Sequence, residues 1–189
     1  VSVRFGNGAN DAVQGNYVVV DAGSIQPSHK GGVRNHSFFL DEAQPKDRRD
    51  DASVMAAEAM ANNMRPQEIT EGVTAYTGAP VVNSRGEVIQ GNNRSAALIQ
   101  MHEQNGAEAD KYKQYLVDHA EQFGVDADTV AGMEYPVLVR MVDVEDAEAI
   151  RLGNMTAQDT ESGGVERIKP QQSYTRLGDK VRSFMRLLL

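Results

Sequence analysis

The chain predicts a mixed α/β domain, a small sheet of mixed strand direction surrounded by helices. Short β-branched runs at Tyr17–Val20, Val81–Val82, Val88–Ile89 and Val137–Val142 read as strands. Between them lie stretches without Gly or Pro in which apolar residues recur at helical spacing. The order of strands and helices does not alternate regularly, so the pattern is α+β in character rather than a repeated βαβ array. With 189 residues, 40% of them hydrophobic, the chain is large enough for a real core.

Taken in order, residues 1–16 are rich in Gly and Asn and are expected to form a loose leader, with the domain proper at 17–164. The unbroken run Tyr17-Val18-Val19-Val20 predicts a first strand buried on both faces. Pro27 to Gly32 reads as a loop, and Gln44 to Arg49 as a polar, basic connection. Asp50 or Asp51 is placed to cap a helix over Ala52–Asn63, with Ala56, Met60 and Met64 on its core face. Arg65-Pro66 should end it.

Two short strands at 81–82 and 88–89 are then joined by a turn at Asn83-Ser84-Arg85-Gly86. After Gly91 a helix runs from Ser95 to Gln104 and stops at Asn105-Gly106. A long helix over Ala107–Phe123 follows, with Tyr112, Leu116, His119 and Phe123 on one face and Gly124 beyond its end. Asp126 to Met133 is a short helix or turn, and Pro136–Val142 the strongest strand signal. Asp143 should cap a last helix through Ile150 and Leu152 that breaks at Gly153-Asn154.

Residues 165–189 differ in charge from the rest. They hold six Lys or Arg against two acids, so that with a net charge of −8 for the whole chain the first 164 residues carry −12. Tyr174 to Leu189 places Leu177, Val181, Phe184 and Leu188 along one face of a basic amphipathic helix, expected to begin a following region and to support self-association. The chain opens on Val1 and closes on Leu187-Leu188-Leu189 within this helical pattern, and is expected to be a fragment of a larger protein. The overall acidity argues against a surface coated for nucleic acid. No run is long and apolar enough to span a bilayer, and no secretory signal pattern is present, so a cytoplasmic location is expected. Without cysteine there is no disulfide, thiolate chemistry or cysteine metal site.

The stretch Gly91-Asn92-Asn93-Arg94-Ser95 carries the main functional signal. Strand, glycine-led turn and helix in succession aim backbone N–H groups and the positive end of a helix dipole at whatever lies above Gly91. Arg94 adds a forked cation suited to phosphate. Ser28-His29 has the look of part of a nucleophile pair, and Arg48-Arg49 could reach a phosphate. Asp143, Glu145, Asp146 and Glu148 read as acids at a helix start rather than as a metal site.

Six short signals occur in a fixed order: Pro27-Ser28-His29-Lys30, Gln44-Pro45-Lys46-Asp47-Arg48-Arg49, Gly78-Ala79-Pro80-Val81-Val82, Gly91 to Ala97, Pro136 to Arg140, and Gly153-Asn154-Met155-Thr156. In this order they resemble the ParB/sulfiredoxin superfamily, most closely the DdrB-like ParB domain of phage and plasmid multi-domain proteins, over roughly Tyr17 to Glu161. The resemblance implies a nucleotide at Gly91, Asn92, Asn93, Arg94 and Ser95, with CTP or ATP as ligand, Asn154 assisting, and Ser28, His29, Arg48 and Arg49 as further site residues.

Chromosome-segregation ParB proteins hold magnesium through a Glu-Asn pair. Here that pair is Gly153-Asn154, which leaves Asn154 as the one magnesium candidate and implies slow hydrolysis at most. Sulfiredoxins place a reactive Cys in the turn occupied here by Asn92-Asn93, so their chemistry is excluded. The expectation is a nucleotide-dependent module of a DNA-handling protein of a mobile element, with DNA contacted through flanking regions. The alternatives are a ParB-like NTPase or nuclease, and an adaptor that has lost its ligand.

Overall fold

The computed structural model describes residues 1–35, 38, 41–43 and 51–157. Arg48 and Arg49, the polar segment at 158–164 and the basic helix expected at 174–189 lie outside the described residues. The chain begins with β1 (Ser2–Arg4), β2 (Ala12–Asp21) and a small hairpin of β3 (His29–Lys30) and β4 (Val33–Arg34). Helices α1 (Asp51–Asn62) and α2 (Pro66–Thr70) lead to β5 (Val81–Val82) and β6 (Val88–Gln90). Then come α3 (Asn92–Gln104), α4 (Ala107–Asp118), α5 (Ala120–Phe123), α6 (Ala127–Gly132), β7 (Pro136–Val142) and α7 (Asp146–Gly153).

The strands form a five-stranded sheet in the order β1-β2-β7-β5-β6. β7 lies at its centre, antiparallel to β2 and parallel to β5, while β5 and β6 are antiparallel. The expected mixed sheet surrounded by helices is therefore what the chain adopts. Its two faces are distinguished by the period-2 alternation of strand side chains. Val82 and Val88 join the core beneath α1, α3 and α4, whereas their neighbours Val81 and Ile89 join a second core with Val3, Phe5 and Leu152. Burying each large apolar side chain stabilises the fold by about 1.5–3 kcal/mol.

Several boundaries differ from the sequence expectation. The segment expected to be a loose leader instead contributes β1 and the start of β2, and Val3 and Phe5 are fully buried. Tyr17 to Val20 lie within the much longer β2 and are half-buried rather than enclosed on both faces. The core face of α1 is one residue out of phase with that expected: Ala57 and Ala61 are buried with Met64, while Ala56 is exposed. Pro66 starts α2, where its missing N–H has no helical partner to lose. The helix expected over Ala107–Phe123 is interrupted at His119, and α7 is preceded by Glu145 rather than capped by Asp143.

The expected loop after Pro27 is a tight hairpin, with Lys30 opposite Val33 and positive φ at both Gly31 (54°) and Gly32 (77°). Two successive positive-φ residues are what a two-residue turn of this hand requires, and only glycine takes them without strain. The stop after α3 is Asn105, itself left-handed at φ 47°, with its N–H bonded back to Met101 and His102.

Candidate functional site

Gly91 joins β6 to α3 in the left-handed region, at φ 96° and ψ 34°. A Cβ there would come within 2.8 Å of the Arg94 guanidinium, so both conformation and space call for glycine. No side chain caps the start of α3 and no acid lies in its first turn, which leaves the positive end of the helix dipole unanswered by a carboxylate. The expected strand, turn and helix are thus in place.

The side chains of the first turn divide sharply. Successive residues rotate by about 100° around a helix, so Asn92 and Arg94 face nearly opposite ways, while Ser95 and Ala96 share the side of Asn92. Asn92 is only 3% exposed, and its Oδ1 accepts the Ser28 N–H at 2.7 Å. Its Nδ2 has no hydrogen-bond partner. Ser95 is fully buried and its hydroxyl is likewise unpartnered. A buried polar group left without a partner costs about 1–3 kcal/mol, so two in one helical turn are a substantial local penalty.

Asn92 and Asn93 line one end of a cleft of about 340 Å³ between the β3–β4 hairpin, α1 and α3. His29 and Lys30 of the hairpin line the same cleft. Ser28 Oγ stands 3.1 Å from His29 Nδ1, but Ser28 is 1% exposed and its backbone is fastened to Asn92. Ser28 and His29 are therefore held beside the Asn92 turn by the fold. Ser53, Glu58, Gln100 and Glu103 also line the cleft, and none of them was singled out from the sequence. A signal was there: Gln100 and Glu103 follow Asn92 and Ala96 along one helical stripe.

Arg94 takes a different place from the one expected. Its Nη1 donates to the Gly78 carbonyl and its Nη2 to that of Ala75 at 2.7 Å. Burial, and then the charge of Arg140, hold its pKa down at about 9, so it remains a cation at neutral pH. Arg140, fully buried on β7, donates to the carbonyls of Gly72 (3.1 Å), Thr74 (2.9 Å), Thr77 (2.5 Å) and Ala79 (2.6 Å). Its pKa is lowered to about 10 by burial. The two guanidiniums between them bind six carbonyls of the 72–79 segment, and no carboxylate is among these acceptors. The terminal nitrogens that would grip a phosphate in a fork are committed to backbone.

Asn154 is also committed elsewhere. Its amide donates to the carbonyls of Glu42 (2.6 Å) and Ile150 (2.7 Å) at the end of α7. That end is tied to the residue before Gly91, since Gln90 Nε2 donates to the Met155 carbonyl at 3.0 Å. The magnesium implied by the resemblance would need a carboxylate at position 153. A Cβ on Gly153 would lie 2.3 Å from the Ala43 carbonyl oxygen, so the fold has no room for one there. The residues present do not fit a metal held in that way, and among the described residues no three His, Cys, Asp or Glu side chains cluster as a metal site.

Several other side chains singled out in the sequence take part in contacts within the fold. Asp146 pairs with Arg85 at 2.7 Å and Glu148 with Arg151 at 2.8 Å. His119 stacks on Tyr115, with ring centroids 4.0 Å apart. His102, which carries no sequence signal, is 4% exposed and donates from Nε2 to the Pro136 carbonyl at 2.9 Å. Burial lowers its pKa and keeps the ring neutral.

Among the described residues no helix is long and apolar enough to cross a membrane. Residues 8–143 match the family model of the ddrB-like ParB superfamily domain. No curated protein and no solved structure matches the chain.

Proposed function

Because the chain belongs to the ddrB-like ParB superfamily domain family, we propose that it binds a phosphate-bearing ligand, a nucleoside triphosphate such as CTP or ATP, at the start of α3. The observation that carries this is Asn92, a buried amide donor without an acceptor at the mouth of an uncapped helix N-terminus. An anion there accepts the orphan Nδ2 hydrogen and meets the positive end of the helix dipole. Lys30, on the adjoining hairpin, adds a positive charge to the lining of the cleft. Arg94 serves this site indirectly: it packs beneath Gly91 and fixes the turn from below.

On this reading the domain is a ligand-dependent module in a DNA-handling protein of a phage or plasmid. Any contact with DNA is made by flanking regions, because the domain itself is acidic. Hydrolysis is slow at most, since phosphoryl transfer needs positioned positive charge and a held metal, and position 153 offers no carboxylate. Asn154 then acts as a helix clip beside the site rather than as a magnesium ligand.

Thermal unfolding with and without CTP or ATP tests the reading, with phosphate release followed on the same samples. A rise in midpoint that grows with nucleotide concentration, with little phosphate released, is expected. No rise with either nucleotide would favour the adaptor, and rapid turnover would favour the enzyme.

A further inference from the structure

The sheet covers its edges except along one stretch of β2. At the β6 edge Gln26 lies alongside: its N–H donates to the Gly86 carbonyl at 2.8 Å, and its carbonyl accepts the Val88 N–H at 3.1 Å. At the other edge the 72–79 segment lies against β1, where the Arg4 carbonyl accepts the Ala75 N–H at 2.8 Å. β1 in turn covers β2 only as far as Gly15. There the Gly15 N–H donates to the Val1 carbonyl at 2.8 Å, and the Val1 ammonium donates to the Gly15 carbonyl at 2.7 Å. β2 runs on to Asp21, and no other strand among the described residues lies beside it on that side.

The backbone along this stretch takes its direction from strand alternation. Gly15 turns its N–H and carbonyl toward β1, so Tyr17 and Val19, at the same parity, turn theirs to the open side. β7 gives the same answer independently. Its Arg140 N–H goes to the Pro80 carbonyl on the β5 side, which leaves Val137, Val139 and Met141 to bond β2 through their register partners Val20, Val18 and Asn16. Two N–H groups and two carbonyls of β2 therefore face outward. The side chains around them suit a strand partner: Tyr17-Val18-Val19-Val20 is aromatic and β-branched, carries no charge, and each residue is partly exposed. Sheets blunt an open edge with Lys, Pro or a bulge. This stretch has none of these, and its register with β7 is unbroken.

We propose that the 16–20 edge of β2 is an interaction surface, and that its occupant is the same edge of a second copy of this chain, paired antiparallel about a two-fold axis near Val19. The stretch is self-complementary. In that pairing Val19 meets its own counterpart, no like charges stand opposite each other, and each copy satisfies the other's outward groups. Beyond the stretch β2 turns away after Asp21, with the Ala22 N–H bonded to the Tyr135 carbonyl at 2.9 Å, so the second strand has room to continue past it. The two sheets then run on as one across the axis.

The test is sedimentation of the whole chain over a range of concentrations, with backbone amide exchange followed by NMR on the same samples. The expected result is a dimer that forms as concentration rises, with exchange of the Tyr17 and Val19 amides slowing by about tenfold or more as it forms. The Val18 and Val20 amides, bonded to β7, should be protected throughout. Val19→Pro removes an outward N–H and leaves the ladder to β7 intact, so it should give a monomer that is folded by far-ultraviolet dichroism. A chain that stays monomeric would overturn the proposal, whether the two amides exchange fast or are held by another part of the same chain. So would a dimer in which they exchange as fast as in the monomer, or one that persists in folded Val19→Pro, since either places the contact elsewhere. Should Val19→Pro fail to fold, amide exchange in the unaltered chain decides alone.

Discussion

The two sides of one helical turn behave differently, although their residues are neighbours in sequence. On the Arg94 side every charged nitrogen that matters is met by backbone: Arg94 and Arg140 divide the carbonyls of the 72–79 segment between them. On the Asn92 side a buried amide nitrogen and a buried hydroxyl have no hydrogen-bond partner. The first arrangement is complete in the free protein and reads as architecture. The second leaves two buried polar groups unsatisfied, a local cost that the proposed anion site would explain. The lesson is that the most conspicuous cation in a phosphate-like motif can be committed to backbone; on the proposed reading, recognition falls to a smaller, neutral side chain beside it.

Removing the completed side should have the largest effect. Arg140→Met takes the donors away from four carbonyls at once and leaves them buried, so a loss of more than about 3 kcal/mol is expected. Urea unfolding measures it. A change below about 1 kcal/mol would mean that the 72–79 segment holds its shape unaided, and the contrast between the two sides would weaken.

Gly91→Ala sharpens the comparison at its boundary. The substitution forces a side chain into the left-handed region and against the Arg94 guanidinium, and should cost about 1–3 kcal/mol. Because it moves Arg94 from below, the same variant should also weaken nucleotide binding without touching the cleft.

A smaller effect is expected from His102, whose burial disfavours the charged ring. Its pKa is lower folded than the ordinary value near 6.5, so the unfolded chain binds the extra proton first. The stability that this neutral ring secures is complete above about pH 6.5 and is lost as pH falls from there through the lowered folded value. His102→Gln should flatten the pH dependence of the unfolding midpoint over that window. An unchanged slope would place the acid sensitivity elsewhere.

Much of the framework was legible in the sequence because it rests on local rules. Pro136–Val142 could hardly be anything but a central strand, and Gly91 and Asn105 mark the two ends of α3 through backbone conformation alone. The leader was misread because its Gly and Asn residues suggest a loop, while Val3 and Phe5 are held by pairing with β2 and by the second core, which are non-local. The fate of Arg94 was illegible for the same reason. The motif tells which residue types stand on the first turn of the helix, but the carbonyls that capture Arg94 belong to a segment sixteen and nineteen residues earlier. Glu58 and Glu103 look like ordinary surface acids until α1 and α3 are set side by side.

Asn92→Asp separates stability from recognition most directly. The carboxylate keeps the acceptor that Ser28 N–H needs and removes the orphan donor. It also places a negative charge at the positive end of α3, which offsets part of the cost of burying it. The account predicts unfolding free energy within about 1 kcal/mol of wild type. It also predicts loss of calorimetrically detectable CTP and ATP binding, because the anion now meets a carboxylate. Nucleotide affinity unchanged in Asn92→Asp would contradict the account, since it would mean that the unpartnered amide faces no anion.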